Sequence, residues 1–388
     1  MNAGLFADCY RPTQSGVVTA VVQLKAGLER RDHKVVVMTV ANPPYAEEDA
    51  AVFCFPSLAF SRDNGWRLGI AQQRRVNRLV EREALDIIHT HTEFGLGWAG
   101  RRAARALGLP WVHTAHTLYE EYRHYLLFGR WLPRGAVRLY LGWFLSGCDA
   151  LICPSGKSLR YLTGLAPGVR TVVVGNAADG DRFGPGRLSG QEREQVRSGL
   201  GLGLSDRVIL YAGRLGREKR VVELLYALAP LLSGDARCKA LFAGGGPLRE
   251  ALLGAAKRLG VERQVILAGP VPWEDMPAVY AAADLFVTAS LSENHPMTCL
   301  EAMACGLPIV ARRDEGTAGL VQDGATGYLA GSDPEIAERA RNLLEDEAKR
   351  RAFAENAAAW AGMFSVEMHV DRIEGVYREV VAGGGRRV

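Results

Sequence analysis

The chain reads as an α/β protein made of two doubly wound, Rossmann-like domains. Short apolar runs with strand character alternate with amphipathic helical stretches along 388 residues, the pattern of parallel sheets covered on both faces. That length exceeds what one core normally organises. The alternation also comes in two series, separated by a Gly/Asp/Pro-rich stretch. Open parallel sheets bind ligands beyond the C-terminal ends of their strands, so functional residues are expected just after strands.

In the first series, strands are expected at 4–7, 35–40, 87–90, 111–114, 150–153 and 171–174, with helices such as 18–31 and 72–83 between them. In the second, strands are expected at 208–212, 240–243, 265–268, 285–288 and 308–311, with a helix over 221–232. The boundary falls in 175–186, followed by a polar segment at 188–198, giving domains 1–178 and 179–365. A helical pattern at 366–382 is free to pack back on the first domain, and the tail at 383–388 is expected to fray.

Hydrophobic content of 48% and charge of 23% are ordinary for a globular protein. Apolar runs are broken well before the roughly 20 residues that a membrane-spanning helix needs. The opening residues lack a basic segment followed by an apolar core, so no signal peptide is expected. Seven cysteines without CxxC spacing point to reduced thiols in the cytoplasm and no zinc site. Residues 1–180 hold 21 Lys/Arg against 15 Asp/Glu, a balance of +6, whereas the remainder holds 26 against 28. This basicity is too thin for nucleic acid but suits an anionic membrane surface.

The segment 292–306 carries the most chemistry. Pro296 suits a first helical position and Gly306 a helix stop. Glu293 then lies in a loop beside free backbone N–H groups, and Glu301 lies one to two turns into the helix. A helix N-terminus takes an anion, and each carboxylate accepts hydrogen bonds from a hydroxyl. A sugar nucleotide has that shape. Arg214 and Lys219 follow the strand at 208–212 and can grip a diphosphate, one as a planar fork and the other as a mobile point charge. Gly213 and Gly216 allow close backbone approach. Gly244–Pro247 is a weaker glycine run after the next strand. Gly16, after Ser15, opens the first helix and can bring an N–H against a phosphate or a reacting sugar. Asp179-Gly180-Asp181 looks like a metal-binding DxD, but it sits in the hinge and reads as turn chemistry. With two cations and a helix dipole available, no metal and no other cofactor is expected.

These segments, in this order, resemble the retaining glycosyltransferases of family four, which have the GT-B fold, two such domains facing across a cleft. The resemblance covers nearly the whole chain. It is carried by 8–17, 86–91, Gly175-Asn176, Arg182-Phe183, 213–219, 244–247, Tyr280, Ala283-Asp284 and the Glu–seven residues–Glu signature of Glu293 and Glu301. The resemblance implies that Glu293 contacts the donor sugar and Glu301 the ribose. It implies that Arg214 and Lys219 hold the diphosphate with the backbone at Met297 and Thr298, and that Gly16 and Gly213 lie near it. His116 matches the family histidine at the reacting centre. Arg220 stands where the family often has Gly or Asn, and Asn294-His295-Pro296-Met297 replaces a Gly/Ser-Phe-Gly-Leu segment, which bears on donor sugar preference through His295. Transfer with retention follows, by front-face substitution.

The stretches 89–97 and 113–125 resemble the bacterial diacylglycerol glucosyltransferases within that family. On this basis His91, Glu93, His116, Tyr119, Tyr122, Arg130 and Trp131 are expected to meet the acceptor. Arg130, Arg134 and Arg138 recur every four positions among aromatic and aliphatic residues, with Pro133 as a break, and such a surface suits a bilayer interface. The implied activity is transfer of a hexose, glucose from UDP-glucose being favoured, to a lipid such as 1,2-diacylglycerol, at the inner face of the cell membrane. A soluble, polysaccharide or phosphoinositide acceptor stays open, as does a non-catalytic sugar-nucleotide binding protein.

Overall fold

The computed structural model describes residues 1–59, 67–120 and 133–384. The expected acceptor residues Tyr122, Arg130 and Trp131 lie outside that set. The chain divides into two compact units, Met1–Ala177 with Val366–Val388, and Ala178–Ser365.

The first unit runs β1 (Asn2–Phe6), α1 (Gly16–Glu29), β2 (Lys34–Val40), β3 (Val52–Phe55), the hairpin of β4 (Ser57–Ala59) and β5 (Arg67–Gly69), α2 (Gln73–Arg82), β6 (Ile87–Thr90), α3 (Gly95–Leu107), β7 (Trp111–Thr114), α4 (Arg134–Leu145), β8 (Ala150–Cys153), α5 (Gly156–Thr163) and β9 (Arg170–Val173). Seven strands form a parallel sheet in the order β3-β2-β1-β6-β7-β8-β9. Every residue of β6, β7 and β8 is buried, as a sheet covered on both faces requires. The strand order reverses beside β1, so the switch point falls between β1 and β6. The strand β3 was not foreseen. It is a four-residue edge strand after an acidic loop and pairs with β2 alone.

The second unit runs α6 (Gly190–Gly199), β10 (Arg207–Ala212), a 3-10 turn (Arg217–Lys219), α7 (Val221–Gly234), β11 (Cys238–Ala243), α8 (Arg249–Leu259), β12 (Val265–Gly269), α9 (Met276–Ala282), β13 (Leu285–Thr288), α10 (Met297–Ala304), β14 (Ile309–Arg312), α11 (Glu315–Ala318), β15 (Gly327–Ala330), α12 (Asp333–Glu345) and α13 (Glu347–Ala361). Its parallel order, β12-β11-β10-β13-β14-β15, puts the switch point between β10 and β13. The polar segment read as a boundary is α6. Ser189 and Glu192 cap it reciprocally, Ser189 Oγ accepting from Glu192 N at 3.2 Å and Glu192 Oε2 from Ser189 N at 2.8 Å. The buried Arg197 anchors it, donating to the Ala282 carbonyl and to Asp284 at 2.9 and 3.0 Å.

The helix α14 (Val366–Ala382) belongs to the first unit. Val366, Val370 and Ile373 join one apolar cluster with Val21, Leu24 and Leu28 of α1. Tyr377 reaches His89 on β6, Oη to Nδ1 at 2.6 Å.

Candidate active site

In the second unit the expected donor residues gather where β10 and β13 end. The loop after β13 is stitched to the 3-10 turn by Ser292 Oγ, which donates to the Glu218 carbonyl at 3.2 Å, and by Arg220, which donates to the Ala289 carbonyl at 3.3 Å. The stitching sets Lys219 Nζ 2.7 Å from Glu293 Oε1, with both side chains largely buried. Arg214 is half-buried, and its carbonyl accepts from Tyr211 Oη at 2.9 Å. Arg220 adopts a left-handed backbone, φ 52°, which explains the Gly or Asn common at this position in the family. A bidentate pair with Asp333, at 2.6 and 3.1 Å, holds it there. The glycine run 244–246 serves packing. A Cβ on Gly244 would lie 1.9 Å from the Gly213 carbonyl oxygen, so the two loops lie backbone to backbone.

The helix begins one residue later than expected. Pro296 is its N-cap and Met297 and Thr298 open it, with no side chain capping their N–H groups. These donors lack carbonyls within the helix and face outward from its positive end. His295 packs on the Phe364 ring, centroids 5.4 Å apart. Glu301 is buried, and both its oxygens are held. Oε1 accepts from Trp273 Nε1 at 3.0 Å and Oε2 from Tyr280 Oη at 2.8 Å. Burial raises its pKa from 4.5 to about 7, against the lowering effect of those two bonds. Tyr280 was noted in the sequence without a role and Trp273 not at all. The only local signal is an indole just past β12, at the strand end where sites form.

Asp179-Gly180-Asp181 forms a turn in which Asp179 Oδ1 accepts from Asp181 N at 3.0 Å, and the Asp179 carbonyl takes the N–H groups of Arg182 and Phe183. Arg182 lies over the Trp273 ring, 4.1 Å from its centroid.

In the first unit, residues after β1, β6 and β7 flank the other switch point. Ser15 caps α1 by accepting from Val18 N at 3.3 Å, which leaves Gly16 as the first helical residue. Asp8, also buried, accepts from Gly69 N, Leu96 N and Thr92 Oγ1 at 2.6–3.0 Å and ties the loops together. His91 Nδ1 lies 3.0 Å from His116 Nε2. Burial lowers the pKa of both, that of His116 to about 3, so each ring is neutral at physiological pH. His91 Nε2 is buried and has no partner among the described residues. Glu93 is engaged inside the fold. Its Oε1 lies 3.2 Å from His113 Nε2, and its Oε2 accepts from Tyr119 Oη at 2.7 Å. Its carbonyl accepts from Tyr140 Oη. Glu93 thus ties β7, Tyr119 and α4 together.

Pro133 is the N-cap of α4, which starts at Arg134, and Arg130 lies outside the described residues. Val137, Leu141, Phe144 and Leu145 face the core. The other side presents Leu139 and Trp143, 77% and 60% exposed, and Arg134 and Arg138 of the same helix are also exposed. Trp143 packs at a tilt against Trp98, ring centroids 4.4 Å apart, and Arg101 lies over Trp98 at 4.9 Å. No helix among the described residues is long and apolar enough to cross a membrane.

Comparison with known proteins agrees with this arrangement. Residues 14–182 match the Glycosyltransferase Family 4 model, and residues 192–360 match Glycosyl transferases group 1. An alpha-monoglucosyldiacylglycerol synthase of Streptococcus pneumoniae is 31% identical over 87% of this chain and 77% of its own length. One from Acholeplasma laidlawii is 26% identical over 100% of this chain and 99% of its own. Among solved structures, Anabaena Alr3699/HepE in complex with UDP-glucose superposes with a TM-score of 0.77 at 21% identity, covering 98% of this chain and 100% of that one. With both domain models matched in order and the strand-end residues assembled in each unit, the chain belongs to glycosyltransferase family four and is a hexosyltransferase.

Proposed function

We propose that this enzyme transfers glucose from UDP-glucose to 1,2-diacylglycerol, with retention, to give a monoglucosyl lipid. The observation that carries the acceptor is the pair of relatives named alpha-monoglucosyldiacylglycerol synthase, one matching this chain end to end. The UDP-glucose complex of a protein with the same fold supports the donor. Lys219, beside Glu293, and Arg214 supply positive charge for the departing diphosphate. The N–H groups of Met297 and Thr298 add to it. Glu293 faces the sugar hydroxyls, and Glu301, steadied by Trp273 and Tyr280, accepts from the ribose.

The bond from the anomeric carbon to the phosphate oxygen breaks while the acceptor oxygen bonds the same face. The acceptor proton passes to the departing phosphate oxygen. The protein's contribution is positioning and charge stabilisation. In the first unit, His116 acts on the acceptor side as a neutral ring beside His91. The cations make a metal unnecessary, so chelation with EDTA should leave turnover unchanged. The exposed Leu139 and Trp143 with Arg134 and Arg138 suit an anionic bilayer surface, where the apolar pair enters the interface and the arginines meet phosphates.

The test is a panel of UDP-glucose, UDP-galactose and GDP-mannose against diacylglycerol in vesicles and against soluble acceptors, read by product mass. Glucosyl diacylglycerol from UDP-glucose supports the proposal. Transfer to an inositol phosphate or a sugar, with none to diacylglycerol, overturns the acceptor.

A further inference from the structure

The second unit carries a pocket that the transfer reaction does not use. Its volume is about 270 Å³, and Arg187, Arg193, Arg350 and Arg351 line it. Asp284 and Leu307, also in its wall, precede β13 and β14. The pocket therefore opens at the N-terminal edge of the sheet, whereas Gly213, Lys219 and Glu293 follow the strands at the other edge. The eight residues of α10 separate its Gly306 wall from Met297, a length of about 12 Å.

Two of the four arginines have carboxylate partners. Arg193 pairs with Asp284 at 3.2 Å, and Arg351 pairs with Glu347. The other two meet only carbonyls among the described residues. Arg187 Nη2 donates to the Gly180 carbonyl at 2.6 Å, and Arg350 Nη1 donates to those of Leu343 and Leu344 at 3.1 and 3.3 Å. Those bonds fix the guanidinium planes but use one or two of five N–H donors each. Two guanidinium groups with no carboxylate partner among the described residues, both lining one concavity, are an arrangement that recognises a phosphate. Ala281, Ala283 and Leu307 give the floor an apolar character. It suits a compact organic group attached to that phosphate rather than a bare nucleotide base.

We propose that this pocket is a second anion site, which binds a phosphate monoester or diester through Arg187 and Arg350, apart from the donor site. The ligand's source is either a free phosphorylated metabolite or a lipid headgroup. The proposal stands independently of the donor and acceptor assigned above.

The test uses the full chain saturated with UDP, so that added phosphate cannot enter the donor site. Inorganic phosphate, glycerol 3-phosphate and dihexanoylphosphatidylglycerol below its micellar concentration are titrated separately by calorimetry. Arg187→Gln should weaken binding at least tenfold, and Arg187→Gln with Arg350→Gln should abolish it, with UDP affinity unchanged as the check on folding. Binding of the water-soluble phosphates assigns a metabolite, and binding of the lipid alone assigns a headgroup. Either result supports the site if the variants lose it. No binding of any of the three, or binding that survives in Arg187→Gln, overturns it.

Discussion

Glu301 is buried between an indole N–H and a phenol, and this has a consequence for pH. Its folded pKa, about 7, lies above the ordinary 4.5. Between those values the folded chain holds a proton that the unfolded chain has released. Stability contributed by this group is therefore full below pH 4.5 and is lost as pH rises through 7. Without nucleotide, unfolding measured from pH 4.5 to 7.5 should show that decline, and Glu301→Gln should flatten it. Donor binding runs the other way, because a ribose hydroxyl donates best to the ionised carboxylate. The KM for donor should fall as pH rises through about 7, and Glu301→Gln should lose that dependence. For the phosphate grip, Arg214→Ala and Lys219→Ala should each cost about 3 kcal/mol of transition-state stabilisation, roughly a hundredfold or more in turnover, with circular dichroism unchanged. Near-normal turnover in both would remove them from the reaction. The gathering of Glu293, Glu301, Arg214 and Lys219 near the ends of β10 and β13 was expected from the order of their segments in the sequence. Trp273 was not, since it meets Glu301 from 28 positions away through the fold alone. Glu93 is expected from the sequence to meet the acceptor, and the inward direction of both its oxygens was not legible there.

The elements owe their placement to short loops in which backbone meets backbone. A Cβ on Gly316, at the start of α11, would lie 2.2 Å from the Glu293 carbonyl oxygen. Gly316→Ala should push Glu293 off Lys219 and lower turnover about a hundredfold while the fold persists, since displacements near 1 Å have effects of that size. Unchanged kinetics in that variant would show that Glu293 tolerates displacement. Strands with β-branched or bulky apolar residues, such as Ile87–Thr90 and Leu285–Thr288, were readable to the residue because burial on both faces leaves no polar alternation to mislead. Val52–Phe55 and Gly327–Ala330 were missed. The first is a short edge strand, and the second begins with glycine and ends with alanine, so neither gives a strong periodic signal. The polar segment 188–198 after the boundary folds as α6, and the spacing of Ser189 and Glu192 is its signal in the sequence. Its single buried anchor, Arg197, is a residue type normally assigned to the surface.

At the scale of the molecule, each unit presents candidate site residues at its own switch point, and the excess positive charge lies in the first. The outer face of α4 is the feature there that a soluble acceptor does not explain. Leu139→Ser with Trp143→Ser should weaken binding to phosphatidylglycerol vesicles tenfold or more, since fully burying one such side chain is worth about 1.5–3 kcal/mol. Turnover on a short-chain, dispersed diacylglycerol should be retained. Flotation of the double variant equal to that of the wild type would assign membrane contact elsewhere. The most direct measurement is the structure of the lipid made from UDP-glucose and diacylglycerol by the purified enzyme, with the anomeric configuration read from the proton coupling of the new sugar. An α-glucosyl diacylglycerol is the predicted product. A β-linked product, or free glucose with no lipid product, would contradict retention and front-face transfer to this acceptor.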